Sequence, residues 1–234
     1  MARIVVLTGA GISAESGLGT FRDEDSPWRQ YDLSEVATPE GYEKNPSLVL
    51  DFYNARRKNC REATPNKAHK ALARLSRKLG DDLVIVTQNI DDLHERAGAR
   101  GVMHMHGRLE GAKCAACGHR WDWGWDAEMT LEDVCPNCST KGSVRPDVVW
   151  FGEIPHDIHR ILDLLADCQV FAAIGTSGAV YPAAGFVRHA SAAGAETHEV
   201  NLVPSDNHGA FDRHFHGSAS EVVPRWVDEI SKRR

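Results

Sequence analysis

Short apolar runs alternate with stretches of helical periodicity along most of this chain. Residues 4–7, Ile-Val-Val-Leu, form an unbroken and mostly β-branched run, the pattern of a strand covered on both faces. Similar runs at 83–87 and 170–174, with shorter ones at 102–104, 147–150 and 197–202, predict further strands. Between them, Thr64 and Pro65 supply a cap residue and a first-turn proline. Ala68, Ala71, Leu72, Leu75 and Leu79 follow at helical spacing, and Gly80 stops the helix. Further helices are predicted over 48–61, 157–166, 183–193 and 222–231, with helix-compatible residues at 12–16. Strands and helices in alternation imply an α/β fold: a Rossmann-like, doubly wound parallel sheet with helices on both faces. Residues 18–46 are polar, carry Pro27, Pro39 and Pro46, and read as a long loop.

Residues 109–146 break this rhythm with tryptophans, cysteine pairs and little periodicity, marking an inserted module. The expected layout is a dinucleotide-binding domain from 1–108 and 147–234, a zinc module at 109–146, and a helical segment, 31–80, contributing to the smaller unit. Cys114-x-x-Cys117 and Cys135-x-x-Cys138, separated by 17 residues, offer four thiolates for a tetrahedral Zn²⁺. With every ligand a cysteine, no position is left for water, so the ion would be structural. Cys60 and Cys168 fall inside periodic segments and are expected to be buried thiols.

The composition is that of an ordinary globular domain: 234 residues, 42% hydrophobic, 26% charged. The net charge of −6 argues against general affinity for nucleic acid or an anionic membrane. Within the cysteine module, Lys113, Arg120, Lys141 and Arg145 face six acidic residues, which weighs against a nucleic-acid-binding ribbon. Neither a signal peptide nor an apolar run long enough to span a membrane stands out, so a cytoplasmic monomer is expected.

Candidate chemistry gathers at predicted strand ends. Gly9-Ala10-Gly11-Ile12-Ser13-Ala14 satisfies G-x-G-x-x-G/A after a strand, where glycines would let backbone N–H groups approach a pyrophosphate. A tight strand-to-helix turn would explain the same letters. The acidic residue that holds the ribose in conventional dinucleotide dehydrogenases is missing about 20 residues on. Gln88, Asn89 and Asp91 follow the second strand, offering groups suited to hydroxyls and a carboxamide. His104 and His106, read as pointing to opposite faces, should place one imidazole in the cleft.

Taken together, these motifs resemble the ordered signature of sirtuins, the bacterial members and related mitochondrial deacylases above all. The resemblance rests on residues 9–17, Thr20-Phe21-Arg22-Asp23, Thr87-Gln88-Asn89-Ile90-Asp91, His106-Gly107 and the four cysteines. It continues through Arg145-Pro146, Val149-Trp150-Phe151-Gly152-Glu153 and Gly175-Thr176-Ser177, and covers about residues 4–230. It implies an enzyme that consumes NAD⁺, cleaving its nicotinamide–ribose bond and passing the acyl group of a protein lysine to the ribose. Gly9, Ala10, Gly11, Ile12, Ser13 and Glu15 would then belong to the cofactor site, together with Thr20, Phe21 and Arg22. Phe21 would shield the ribose cation and Arg22 would position the reacting centre. Gln88, Asn89, Ile90 and Asp91 would orient ribose and carboxamide, with Asn89 also catalytic and His106 the general base. Gly175, Thr176, Ser177, Asn201, Leu202 and Ala219 would line the adenosine end. Val149 to Glu153 would form a strand pairing with the substrate backbone.

Acyl choice would rest on Tyr53-x-x-Arg56, two side chains on one helical face. In the family this pair marks members accepting succinyl or malonyl groups, and guanidinium suits a carboxylate. Arg57 should point elsewhere. Val203 stands where the family often has an acid, so the ribose contact there is open; Gly19 and Asp92 also differ from the commoner residues. Rival readings are an NAD(P)-dependent oxidoreductase, a zinc scaffold and a mono-ADP-ribosyl transferase.

Overall fold

The computed structural model describes residues 4–19 and 31–232. Its strands are β1 (Ile4–Thr8), β2 (Leu83–Thr87), β3 (Val102–His104), β4 (Gly107–Cys114), β5 (Arg120–Asp122), β6 (Val144–Val148), β7 (Val170–Ile174), β8 (Glu196–Asn201) and β9 (Arg213–His216). Its helices are α1 (Leu33–Val36), α2 (Pro39–Lys44), α3 (Pro46–Glu62), α4 (Lys67–Leu79), α5 (Leu93–Arg96), α6 (Ile158–Asp167), α7 (Phe186–Ala192) and α8 (Ala219–Lys232).

Six strands form a sheet in the order β3-β2-β1-β7-β8-β9, and every neighbouring pair is parallel. The order reverses between β1 and β7, which is the switch point where doubly wound sheets open a crevice at their carboxyl ends. Alternation along β1 divides the core. Ile4 and Val6 face α4 and α8 through Leu72, Leu75, Val223 and Trp226. Val5 and Leu7 face α6 and α7 through Ile161, Leu165, Phe186 and Val187. Covered on both sides, β1 is apolar at each of its first four positions, as the sequence pattern required.

A second sheet, antiparallel and ordered β5-β4-β6, spans Gly107 to Val148 and so reaches beyond the expected module bounds of 109–146. Helix α3 packs on it: Val49, Phe52, Tyr53 and Cys60 cluster with Leu109, Val148 and Trp150. Arg57 pins the same contact by donating to the carbonyls of Leu109, Gly124 (2.5 Å) and Ala127 (3.1 Å), away from the pocket that Arg56 lines.

Several predicted elements differ. The helix over 12–16 is two 3₁₀ turns, Ala10–Ile12 and Ala14–Ser16, closed by Gly17 at φ +88°. The helix expected from Pro65 starts at Lys67, because the Asn66 side chain accepts from the amides of Ala68 and His69. The cap-then-proline signal operates instead at Thr38-Pro39 and Asn45-Pro46, which start α2 and α3 inside the expected loop. The strand expected over 147–150 is β6, three residues earlier, and it belongs to the small sheet. Pro146 is tolerated there because β6 pairs only with β4. Strand β9 was not foreseen. Among the described residues, no helix is long and apolar enough to cross a membrane.

Candidate active site

At the switch point the turns after β1 and β7 press together. Gly9 donates its amide to Ile174 O (3.0 Å) and Gly11 to Gly175 O (2.9 Å). A Cβ on Gly9 would meet Gly175 O at 2.8 Å, and one on Gly11 would meet Gly175 Cα at 2.8 Å. Gly175 itself sits at φ +64°, with Ile12 N 2.4 Å from where its Cβ would be. The glycines are therefore demanded first by contact between two chain turns. The amides of Gly9, Gly11, Ile12 and Ser13 all make internal bonds, so the turn is held in shape by its own hydrogen bonds. The Ile12 side chain is buried in the core with Val6 and Leu72, so only its backbone can face a cofactor.

Beneath this turn lies a buried polar network. Ser13 Oγ donates to Asp91 Oδ2 (3.0 Å) and accepts from Asn89 Nδ2 (3.1 Å), which also donates to Gly9 O (3.2 Å). Asp91 Oδ1 accepts from the Leu93 amide (3.1 Å). Burial raises the Asp91 carboxyl above its usual range, opposed by the bonds from Leu93 and Ser13. Two residues that sequence reasoning passed over complete the layer. His69 Nε2 lies 3.4 Å from Ser13 Oγ, His94 Nε2 lies 3.0 Å from Thr8 Oγ1, and the two rings are 5.1 Å apart. Burial pushes His69 down to about 4 and His94 to about 3, so both are neutral. The available signal was a histidine within the apolar stripe of α4.

Above the network opens a cleft of about 890 Å³. It gathers Gly9, Ala10, Gly11, Ser13 and Glu15 from the first turn, and Gln88, Asn89, Ile90 and Asp91 from the end of β2. Gly175, Thr176 and Ser177 follow β7, while Asn201, Leu202 and Ala219 close the far end. Glu15 Oε1 accepts from the Ser220 amide (2.9 Å), tying the first turn to α8. Asn201 Nδ2 donates to Thr176 O (2.7 Å). Val203 lines this end, and so does Asp206, which was not foreseen. Thr20, Phe21 and Arg22 lie outside the described residues.

His106 lines the same cleft and His104 does not. In a continuous strand, residues two apart share a face, so the expected reason for separating them was wrong. They part because β3 ends at His104, whose Nε2 meets Glu95 Oε1 at 2.9 Å, while His106 sits in the following turn. His106 Nδ1 is 3.1 Å from Gln88 O. A carbonyl can only accept, so Nδ1 carries the proton of the neutral ring and Nε2 keeps its lone pair. Burial lowers the His106 pKa below the ordinary histidine value, against the pull of the Gln88 carbonyl and assisted by His156.

Tyr53 and Arg56, one helical turn apart on α3, both line the cleft with Cys60 and Leu109. Tyr53 OH accepts from Trp150 Nε1 (2.9 Å) and retains its own proton for donation. Burial lowers the Arg56 pKa, offset by Cys60, Tyr53 and Asp91, and the guanidinium stays cationic at neutral pH. The Cys60 thiol, pushed up to about 12 chiefly by burial, is an inert part of the wall.

The segment 149–153 is a turn rather than the expected strand. Val149 N donates to His106 O (2.9 Å), Phe151 N to Ala37 O (3.0 Å), and Glu153 N to Trp150 O (2.9 Å). Trp150 is buried beneath Arg145, whose guanidinium lies 3.8 Å from its ring centroid. Both Glu153 oxygens are engaged within the fold: Oε1 meets Arg145 (2.5 Å) and Lys113 (3.2 Å), and Oε2 accepts from Trp150 N (2.9 Å). Phe151 and Gly152 remain on the rim, Phe151 being 52% exposed.

In the small sheet, the Sγ atoms of Cys114, Cys117, Cys135 and Cys138 all lie within 4.8 Å of one another. Cys114–Cys138 is 3.7 Å and Cys117–Cys135 is 3.8 Å. A tetrahedron with Zn–S bonds of 2.3 Å has edges of about 3.8 Å, so the donor set fits Zn²⁺. The site lies away from the cleft lining, as a structural ion should.

A doubly wound sheet, a glycine-packed switch-point turn and a neutral imidazole in a long cleft define a dinucleotide-using enzyme with a zinc-bearing small domain. The family model described as Sir2 family matches residues 9–182. An NAD-dependent protein deacylase of Caulobacter vibrioides is 54% identical over 99% of this chain and 98% of its own length. Its counterpart in Pasteurella multocida is 52% identical over 97% of each. Among solved structures, a Sir2 homologue in complex with NAD superposes with a TM-score of 0.88 at 36% identity, over 98% of this chain and 90% of that one. A Sir2–p53 peptide–NAD⁺ complex gives 0.79 at 28% identity, over 98% and 93%. The chain belongs to the Sir2 family, the sirtuins.

Proposed function

We propose that the protein is an NAD-dependent protein-lysine deacylase acting on acetyl groups and on the acidic succinyl and malonyl groups. The observation that carries this reading is the convergence in one cleft of a neutral His106, the Asn89–Ser13–Asp91 network, two glycine turns and the Tyr53–Arg56 pair. Bound NAD⁺ supplies a nicotinamide–ribose bond whose cleavage drives acyl transfer from lysine to ADP-ribose. The chain's own residues hold and deprotonate. Gly9, Gly11 and Gly175 shape the floor for the dinucleotide. Ser13 holds Asn89 and Asp91 in position toward ribose and carboxamide, and Asn201, Leu202 and Ala219 form the adenosine end. His106 Nε2 takes the proton of a ribose hydroxyl. Phe21 and Arg22 are assigned their shielding and positioning roles from the family motif alone.

Arg56 meets the distal carboxylate of a succinyl or malonyl chain, with the Tyr53 hydroxyl as a second donor. An acetyl group leaves these donors to water and is accepted with less binding energy. Phe151 and Gly152 on the rim contact the peptide. Contact through the peptide backbone carries no side-chain information, so sequence selectivity beyond the lysine is loose. The overall acidity weighs against a nucleic-acid partner and the six free cysteines favour a reducing, cytoplasmic setting; the reading is completed by protein substrates and a monomeric state.

Mass spectrometry of acetyl- and succinyl-lysine peptides, with and without NAD⁺, tests the proposal. Nicotinamide release should require the acyl peptide. Arg56→Met should lose desuccinylation and keep deacetylation, and His106→Tyr should lose both. Desuccinylation that survives Arg56→Met would refute the pocket assignment, and NADH formation would refute the reaction.

A further inference from the structure

Outside the cleft, a second group of side chains has metal-ligand chemistry. Strand β9 lies at the edge of the main sheet, parallel to β8, with Glu199 opposite His214 and Asn201 opposite His216. His214 and His216 are two residues apart and present their rings on one face, their centroids 5.9 Å from each other. Both aim a ring nitrogen at one oxygen of Glu199: His214 Nδ1 is 3.2 Å and His216 Nε2 is 2.8 Å from Oε2. The three donor atoms lie within 4.8 Å of one another.

We propose that Glu199, His214 and His216 form a second metal site, for a borderline divalent cation of the Zn²⁺ type, separate from the four-cysteine centre. Two imidazoles and a carboxylate are the donor set that such ions take with one position left open for water. In a tetrahedral site with bonds of about 2.05 Å the donors stand about 3.3 Å apart. Loading the ion would lengthen the His214–Glu199 separation by about 0.1 Å and the His216–Glu199 separation by about 0.5 Å, and would draw together two imidazole nitrogens that start within 4.8 Å of each other. The carboxylate is buried. Hydrogen bonds from Ser205, His214 and His216 fix it in place. The two histidine side chains are each a little over one third exposed, which gives an ion a path in.

The other half of Glu199 explains what the ion would do. Its Oε1 accepts from the Ser205 amide (2.9 Å) and hydroxyl, at the root of the loop that carries Val203 and Asp206 into the cleft wall. A cation on Oε2 would cross-link β8, β9 and that loop, stiffening the adenosine end from behind.

The test uses full-length protein without a polyhistidine tag, already carrying its cysteine-bound zinc, titrated with ZnCl₂ by calorimetry and assayed for metal content. Wild type should bind a second equivalent and gain thermal stability. His214→Ala and His216→Ala should each weaken that binding at least tenfold, while retaining the first zinc and basal deacylation. Binding of only one equivalent in all, or a second equivalent unaffected by either substitution, would overturn the proposal. Should a variant fail to fold, X-ray absorption on wild type loaded with Co²⁺ as the second equivalent decides the matter. Nitrogen and oxygen neighbours support the site, and sulfur neighbours refute it.

Discussion

Lowering the pH from 7.5 to 5 should cost this protein about 4 kcal/mol of stability through two histidines that never touch solvent. His69 and His94 sit under the active-site turn with folded-state pKa values of about 4 and about 3. In the unfolded chain an ordinary histidine titrates near 6.5. Their depressed folded values mean the unfolded state binds more protons between those limits, so stability is complete above pH 6.5 and is lost as pH falls toward 4. At pH 5 the unfolded chain gains about RT ln(1 + 10^1.5), or about 2 kcal/mol, for each histidine. Against a total stability of about 5–15 kcal/mol this is a large fraction. Asp91, raised by burial, works in the opposite direction, and protonation of the zinc thiolates adds to the loss. The decisive comparison is therefore with His94→Gln, whose amide still reaches Thr8 but does not titrate. Urea unfolding followed by tryptophan fluorescence, at both pH values, gives the slopes. With an m-value of about 3 kcal/mol/M, the wild-type midpoint should fall by about 1.3 M from these two residues and the variant's by about half that. If wild type and His94→Gln lose the same stability on acidification, His94 does not stay neutral in the fold and the account of the network is wrong.

Other outcomes follow from the same geometry. The kcat/KM for deacylation should be flat at neutral pH and fall on the acid side, with its midpoint below 6.5, because burial depresses His106 and only the neutral ring accepts a proton; a midpoint well above 7 would exclude His106 as the base. Gly11→Ala should raise the NAD⁺ KM at least tenfold and lower the melting temperature, since the new methyl lies 2.8 Å from the Gly175 backbone; calorimetric titration with NAD⁺ checks it. Removing zinc with a chelator should unfold the small sheet and, through α3 and Arg57, abolish deacylation while the circular dichroism of the main sheet is largely kept; unchanged activity in metal-free protein would contradict the packing of α3 on that sheet.

The reading from sequence succeeded where local chemistry determines structure. Strands buried on both faces must be apolar at successive positions, so β1, β2 and β7 were visible with nearly correct limits. Paired thiolates at fixed spacing can do little else in a reduced chain, and the four cysteines converge as expected. Elements with weak local signals were missed. Strand β9 carries Arg-His-Phe-His, and a partly exposed edge strand needs no apolar run. The start of α4 was misplaced because Thr64-Pro65 and Asn66 offer competing caps, and only packing chooses between them.

Sequence alone determined the class of fold, the zinc ligands and the set of residues drawn to the strand ends, because burial, thiolate chemistry and turn geometry act over a few neighbouring residues. Only the tertiary structure decided which side chains meet. It set Gly175 against Gly9 and Gly11, placed Ser13 between Asn89 and Asp91, and buried His69 and His94 beneath them. It turned Glu153 inward onto Arg145 and brought two imidazoles of β9 to Glu199. These contacts join positions as far apart as Gly9 and Gly175, and their energies depend on packing distance and exclusion of water, quantities that no local pattern carries.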